Sequence, residues 1–218
     1  MIDLHCHILP ALDDGALDLD DAVGMARQAE ADGVAIVCAT PHIRHDHDVP
    51  IGELPVRVRA LNEVLARRGV GVRVVPGGEV AETEFAGLDD GALRAVSLGG
   101  GGRWILLEPA PGPLSDSLAA AVGELARRGF RSVIAHPERH FDRDFESRLA
   151  QLVERDALVQ VTAAMLEHEA PAIVELARRG LVHLLGSDAH SSRAGRPIRL
   201  SGAPVSYTHL TLPTTPYV

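Results

Sequence analysis

Residues 1–16 read MIDLHCHILPALDDGA: an apolar run, a His-x-His pair and an acidic loop. Ile2 to Cys6 has the length and apolar content of a β-strand. Side chains on a strand alternate faces, so His5 and His7 project to the same side. Two imidazoles on one face of a buried strand are placed to share an ion, histidine being the commonest metal ligand. The alternative is a pair of surface histidines in a frayed terminus, and the apolar residues around them speak against it. The decision rests on what the remaining chain brings to the same face.

Six further apolar runs follow, at residues 34–39, 72–75, 104–107, 132–135, 158–161 and 182–185. Between them lie stretches such as DLDDAVGMARQAEADG (18–33), ELPVRVRALNEVLARRG (53–69) and SDSLAAAVGELARRG (115–129), with apolar residues at helical spacing and a closing glycine. FESRLAQLVERD (145–156) and APAIVELARRG (170–180) repeat the pattern. Strand alternating with helix predicts a parallel α/β fold. Three helices end in Ala-Arg-Arg-Gly, starting at Ala66, Ala126 and Ala177. Arginine in a last turn suits the helix dipole and glycine suits a left-handed cap, so the triplet reads as capping. The glycine run at residues 99–103 reads as a turn before a strand. No linker rich in Ser, Pro or Gly divides the chain, which predicts a single domain over residues 1–204.

The composition excludes several classes. A net charge of -9 gives no support to phosphate-neutralising nucleic-acid binding, and 3% aromatic residues leave little for base stacking. No secretory leader pattern and no run of about 18 apolar residues occurs, so neither export nor a membrane span is expected, and the cytoplasm is the expected compartment. Cys6 and Cys38 are too few for a disulfide framework. The last stretch, SYTHLTLPTTPYV, holds both tyrosines and four of the seven threonines, with no arginine or alanine. It is similar to translated sequencing-adapter sequence, and residues 205–218 are expected to be a non-native tail.

Six of the seven apolar runs end in chemistry. The runs are followed by His5-Cys6-His7, Thr40-Pro41-His42, Gly77-Gly78-Glu79, Leu107-Glu108, Ala135-His136-Pro137-Glu138-Arg139 and Ser187-Asp188-Ala189-His190. The C-terminal ends of barrel strands are where βα loops converge on a site. With Asp14 from the first loop, nine candidate ligands point there: His5, His7, Asp14, His42, Glu79, Glu108, His136, Asp188 and His190. Nine mixed nitrogen and oxygen donors exceed what one ion takes and suit two or three divalent ions of the manganese, zinc or iron kind. Four carboxylates do not neutralise three such ions, so an anionic substrate such as a phosphate ester is expected, with Arg139 and Arg196 placed to assist.

The set HxH, TPH, GGE, LLE, AHPER and SDAH resembles the polymerase and histidinol phosphatase (PHP) superfamily. More narrowly, the opening stretch followed by ATPH, LLE and AHPER is similar to the bacterial capsule and exopolysaccharide tyrosine-protein phosphatases, over Met1 to about Arg199. The resemblance implies a distorted (β/α)7 TIM-like barrel with a trinuclear metal site, manganese first among candidates. It implies one ion on His5, His7, Glu79 and Asp188, a second on Glu79, Glu108 and His136, and a third on Asp14, His42 and His190. It further implies hydrolysis of phosphotyrosine, plausibly on an autophosphorylating tyrosine kinase of polysaccharide export, with Arg139, Arg196 and His190 in catalytic roles. The closing helix that the resemblance leads one to expect is replaced by the odd tail. A small phosphate ester such as histidinol phosphate is the alternative substrate, and a metal-bound regulatory domain the non-enzymatic one.

One motif competes. Cys38 to Arg44 fits C-x5-R, the signature of cysteine-dependent tyrosine phosphatases. Such a loop presents successive backbone N–H groups to phosphate. Here Pro41 removes a donor, no glycine is present and His42 belongs to the metal set, so Cys38 and Cys6 are expected to be buried, inert side chains. A second HxH, His45 and His47, reads as solvated loop, and His140 as a solvated or supporting histidine.

Overall fold

The computed structural model describes residues 1–167, 170–194 and 196–201. The suspected tail at 205–218 lies outside them. Among the described residues there are nine strands: β1 (Ile2–Cys6), β2 (Ile36–Ala39), β3 (His42–Ile43), β4 (Arg73–Pro76), β5 (Glu79–Ala81), β6 (Trp104–Glu108), β7 (Arg131–Ala135), β8 (Leu158–Thr162) and β9 (Leu184–Gly186). Six α-helices alternate with them: α1 (Leu19–Ala31), α2 (Leu54–Arg67), α3 (Asp90–Ala95), α4 (Asp116–Arg127), α5 (Phe145–Val153) and α6 (Ala170–Arg178). Every strand pair is parallel. The alternation read from the sequence is therefore the architecture.

The strands form two sheets, β1-β2-β4 and β3-β5-β6-β7-β8-β9, where the sequence predicts seven strands in one barrel. The difference has a local cause. The second apolar run breaks at Thr40-Pro41 and resumes as β3, and the third breaks at Gly77-Gly78 and resumes as β5. Proline cannot donate to the ladder, and the two glycines permit close approach. A Cβ on Gly77 would lie 2.7 Å from Cys38 Sγ, and one on Gly78 2.9 Å from Val96 Cβ. The breaks turn His42 and Glu79 side by side, since β3 and β5 pair with His42 opposite Glu79. Between β1 and β9 no ladder forms among the described residues. An isolated bridge joins Cys6 to Ala189, Asp188 N–H donates to His5 O at 2.8 Å, and His7 N–H donates to Ala189 O at 2.9 Å.

Caps and packing fix the helices. Asp18, Asp89 and Ser115 each accept a backbone N–H in the first turn of α1, α3 and α4. Gly69, Gly129 and Gly180, which close the Arg-Arg-Gly triplets, all have φ between 68° and 85°, the left-handed cap that favours glycine. Helix α4 shows the packing logic: Leu118, Ala121, Val122 and Leu125 form its buried face against the sheet. Burying a leucine such as Leu125 stabilises the fold by roughly 1.5–3 kcal/mol. Helix α3, which the periodicity does not predict, is a single short element that buries its own Leu93. Among the described residues no helix is long and apolar enough to cross a membrane.

Candidate metal centre

The strand ends deliver their polar residues to one place. Oδ and Oε oxygens and ring nitrogens of all nine candidates fall into four overlapping groups, each with its atoms within 4.8 Å of one another. The groups are His7, Asp14, His42 and His190; His5, His136 and Asp188; His5, His7 and Glu79; and His42, Glu79 and Glu108. His136 thus lies with His5 and Asp188 as well as beside Glu79, and His42 bridges between Asp14 and the Glu79–Glu108 pair. Eight of the nine side chains are buried or nearly so, while Asp14 is 53% exposed and stands at the mouth.

Glu79 is the hub. Its Oε1 lies 2.8 Å from His136 Nε2, and its Oε2 lies 3.2 Å from His5 Nε2, 3.4 Å from His7 Nε2 and 3.0 Å from His42 Nδ1. Yet Oε2 has no hydrogen bond of acceptable geometry, and neither have His42 Nδ1 and His136 Nδ1, all of them buried. A buried carboxylate oxygen ringed by imidazole nitrogens without hydrogen bonds is a costly arrangement unless a cation satisfies it. His5 Nε2 and His7 Nε2 face each other at 3.3 Å, which likewise aims two ring nitrogens at one point.

The charges respond to one another. Burial opposes protonation of His5, but Glu79 and Asp188 outweigh it and hold the ring up at about 8. Burial also opposes ionisation of Glu79, and His5, His136 and His42 nonetheless hold its carboxyl well below the usual range. Glu108 is pushed up by burial and by Glu79. His190 is lowered to about 4 by burial and by the neighbouring His7. Such a ring is suited to offering a lone pair rather than to delivering a proton.

Arg139 and Arg196 converge on Asp188. Arg139 Nη2 pairs with Asp188 Oδ2, and Arg196 Nη2 reaches the same oxygen at 2.8 Å while its Nε donates to Asp188 O at 2.9 Å. They bring two guanidinium groups, 35% and 40% exposed, to the rim. His140 turns away, its Nδ1 engaged with Gly112 O. His136 and Asp188 are both non-glycine residues with positive φ, 30° and 50°. Strained residues of this kind cost on the order of 1–3 kcal/mol and cluster at functional sites.

Three supporting residues escape the sequence reading. Asp13 Oδ2 lies 2.7 Å from His7 Nδ1 and accepts His42 N–H at 2.9 Å, while Oδ1 accepts Gly15 N–H at 3.0 Å. Gln160 Oε1 lies 2.9 Å from His5 Nδ1, turning Nε2 inward. Asp3 accepts Ser187 N–H at 3.0 Å and the Ser187 hydroxyl at 2.5 Å, tying the first strand to the loop that carries Asp188. The Asp13-Asp14 doublet signals the first, and a lone glutamine inside the apolar LVQVT run signals the second. The cysteine mechanism fails on geometry and chemistry: Cys38 is fully buried, its thiol turned to Pro76 O at 3.4 Å, and burial pushes it up to about 12.

Comparison with known proteins identifies the family. The family described as "Capsular polysaccharide synthesis, CpsB/CapC" matches residues 1–206. Tyrosine-protein phosphatase YwqE of Bacillus subtilis is 35% identical over 201 residues, covering 88% of this chain and 78% of that protein. CapC of Staphylococcus aureus is 27% identical over 214 residues, covering 92% of this chain and 80% of that protein. A crystal structure from work on YwqE of Bacillus subtilis and CpsB of Streptococcus pneumoniae, described as metal-dependent tyrosine phosphatases, superposes with a TM-score of 0.75. It is 32% identical and covers 88% of this chain and 80% of that chain.

Proposed function

The chain belongs to the CpsB/CapC family of capsular polysaccharide synthesis, and from that premise we propose that it is a metal-dependent protein-tyrosine phosphatase acting in capsule or exopolysaccharide synthesis. The observation that carries this reading is the hub at Glu79: a buried oxygen without a hydrogen bond, faced by three imidazole nitrogens at 3.0–3.4 Å. The donor set fits two or three divalent ions, manganese first and zinc or iron after it. His5, His7, Glu79 and Asp188 would hold one, Glu79, Glu108 and His136 a second, and Asp14, His42 and His190 a third. The chemistry divalent ions supply in such a site is activation of water and neutralisation of phosphoryl charge.

The protein's own contribution is positioning. Gln160 and Asp13 fix the ring orientations of His5 and His7 from behind. Arg139 and Arg196 present guanidinium forks at the rim, matched to the oxygens of a phosphate monoester. A phenol has a pKa near 10, so its anion leaves without a strong acid. His190 then serves as a ligand, in keeping with its lowered basicity. The two sheets are read as one seven-stranded barrel, supported by a half-open hollow of about 490 Å³ lined from β1, β2, β4, β6, β7, β8 and β9. The partner is read as a phosphotyrosine protein such as a tyrosine kinase of polysaccharide export, and the compartment as the cytoplasm.

Hydrolysis of para-nitrophenyl phosphate with added manganese tests the reading. Activity is expected to vanish with chelator and to survive thiol alkylation; loss on alkylation alone refutes it. Faster turnover of phosphotyrosyl peptides than of histidinol phosphate is expected, and the reverse order moves the substrate to a small ester.

A further inference from the structure

The turn after β7 is held by a residue that the ligand set does not use. Glu138 is 3% exposed and belongs to none of the four ligand groups, and its neighbour Arg139 pairs with Asp188 instead. Its Oε1 accepts the Thr162 N–H at 2.7 Å, and its Oε2 is buried with no hydrogen bond. A buried carboxylate so sparsely satisfied is a poor choice for stability alone. The β7–β8 ladder stops at Ala135 opposite Gln160, and the carboxylate takes up an N–H of β8 beyond that point. The residue at which β7 leaves the ladder is His136, at φ 30° and ψ 51°, with Pro137 after it.

We infer that Glu138 is the positioning residue of His136: by tying the turn to Thr162 it aims the His136 ring at its ion, in place of a hydrogen bond to Nδ1. The inference rests on the metal-centre reading and adds to it a residue outside the ligand set. A metal-ligating histidine is normally oriented through its second ring nitrogen. His5 Nδ1 lies 2.9 Å from Gln160 Oε1, His7 Nδ1 2.7 Å from Asp13 Oδ2, and His190 Nδ1 2.9 Å from Asp188 O. His136 Nδ1 is buried without a hydrogen bond among the described residues. The direction of its ring, with Nε2 2.8 Å from Glu79 Oε1, is therefore set by the backbone. A left-handed residue other than glycine persists only where its surroundings over-determine it. The hydrogen bond from Thr162 to Glu138 supplies that constraint, two residues beyond His136 and from the next strand.

Glu138→Gln keeps an acceptor oxygen within reach of the Thr162 N–H, and Glu138→Ala removes it. Isothermal titration with manganese at pH 7 is expected to place Glu138→Gln within about threefold of wild type and Glu138→Ala about 10–100-fold weaker. In a His136→Ala background the same Glu138→Ala change is expected to cost less than about twofold, because its route to the ion is gone. Glu138→Asp, one methylene shorter, takes the place of the alanine variant if that one fails to fold. In chelator, NMR of isotope-labelled protein is expected to show the Thr162 amide proton downfield in wild type and Glu138→Gln and shifted upfield in Glu138→Ala. Manganese affinity of Glu138→Ala within about twofold of wild type, or an equal loss with and without His136, overturns the positioning role. Wild type that takes up no manganese refutes the metal reading instead. The His136 ring resonances in chelator then decide the anchor alone: a change between wild type and Glu138→Ala supports it, and unchanged resonances overturn it.

Discussion

Asp13 touches no candidate ion position, and replacing it is predicted to weaken metal binding sharply. Its side chain is 1% exposed and receives His7 Nδ1 and two backbone N–H groups, those of His42 and Gly15. Burial opposes its ionisation, but the His7 hydrogen bond and charge bring it down to about 2, the sign of a tightly paired carboxylate. Asp13→Ala leaves the ring of His7 unsupported and the His42 N–H without its acceptor. Breaking a buried pair in this way costs about 3–5 kcal/mol of stability. Loss of a group that orients a ligand costs typically 10–100-fold in metal affinity. Asp13→Asn retains an acceptor oxygen that a flipped amide turns toward His7 and His42, so the loss is expected to be smaller by both measures. Isothermal titration with manganese at pH 7, paired with urea unfolding in chelator, separates the two effects. An Asp13→Ala protein that binds manganese within twofold of wild type refutes the orienting role, whatever its stability.

Two further predictions concern the frame. Gly186→Ala would put a Cβ 2.9 Å from His5 Cβ and 2.8 Å from Gln160 Nε2. The glutamine end can shift but the strand-borne His5 cannot, so overpacking of about 1–3 kcal/mol is expected. The melting midpoint should fall by roughly 3–10 °C, and an unchanged midpoint with unchanged metal affinity counts against the packing argument. Asp21 accepts from Leu17 N–H, Ser191, and the Ser192 N–H and hydroxyl. Burial opposes its ionisation, but the hydrogen bonds from Ser192, Leu17 and Ser191 hold its pKa at about 2. A depressed carboxylate contributes its stability above the unfolded pKa of about 3.9 and loses it as pH falls through the folded one, so Asp21→Asn should flatten the stability profile between about pH 4 and 2 by about 2 kcal/mol. Equal acid slopes for variant and wild type would show that Asp21 does not carry it.

Which side chains meet was readable because each follows an apolar run, and parallel strands put their C-terminal ends on one face. The breaks in two strands were not readable as breaks. Thr40-Pro41 and Gly77-Gly78 look like strand ends, and only the pairing of His42 with Glu79 shows that the chain resumes beyond them. The destinations of the arginines were equally hidden. Arg139 and Arg196 read as phosphate-binding groups, and their common partner Asp188 lies in a different segment from Arg139. Supporting contacts join residues far apart in sequence, 155 positions for His5 to Gln160 and 184 for Asp3 to Ser187. A polar residue in an apolar strand gives no sign of which distant ring it will hold.

The seam between β1 and β9 bears on when in its lifetime the protein can carry metal. His5 and His7 lie near the start of the chain, and Asp188 and His190 follow the last described strand; an isolated bridge, two backbone hydrogen bonds and the hydrogen bonds of Ser187 to Asp3 and His5 bring them together. An ion held by both sides acts as a long-range cross-link, closing a loop that spans nearly every other element and restricting the unfolded ensemble as a disulfide of the same span does. A nascent chain emerging from the ribosome has the first pair of ligands long before the last. Under the proposed ligand assignment, metal loading would be a late event in biogenesis, coupled to joining the two sheets.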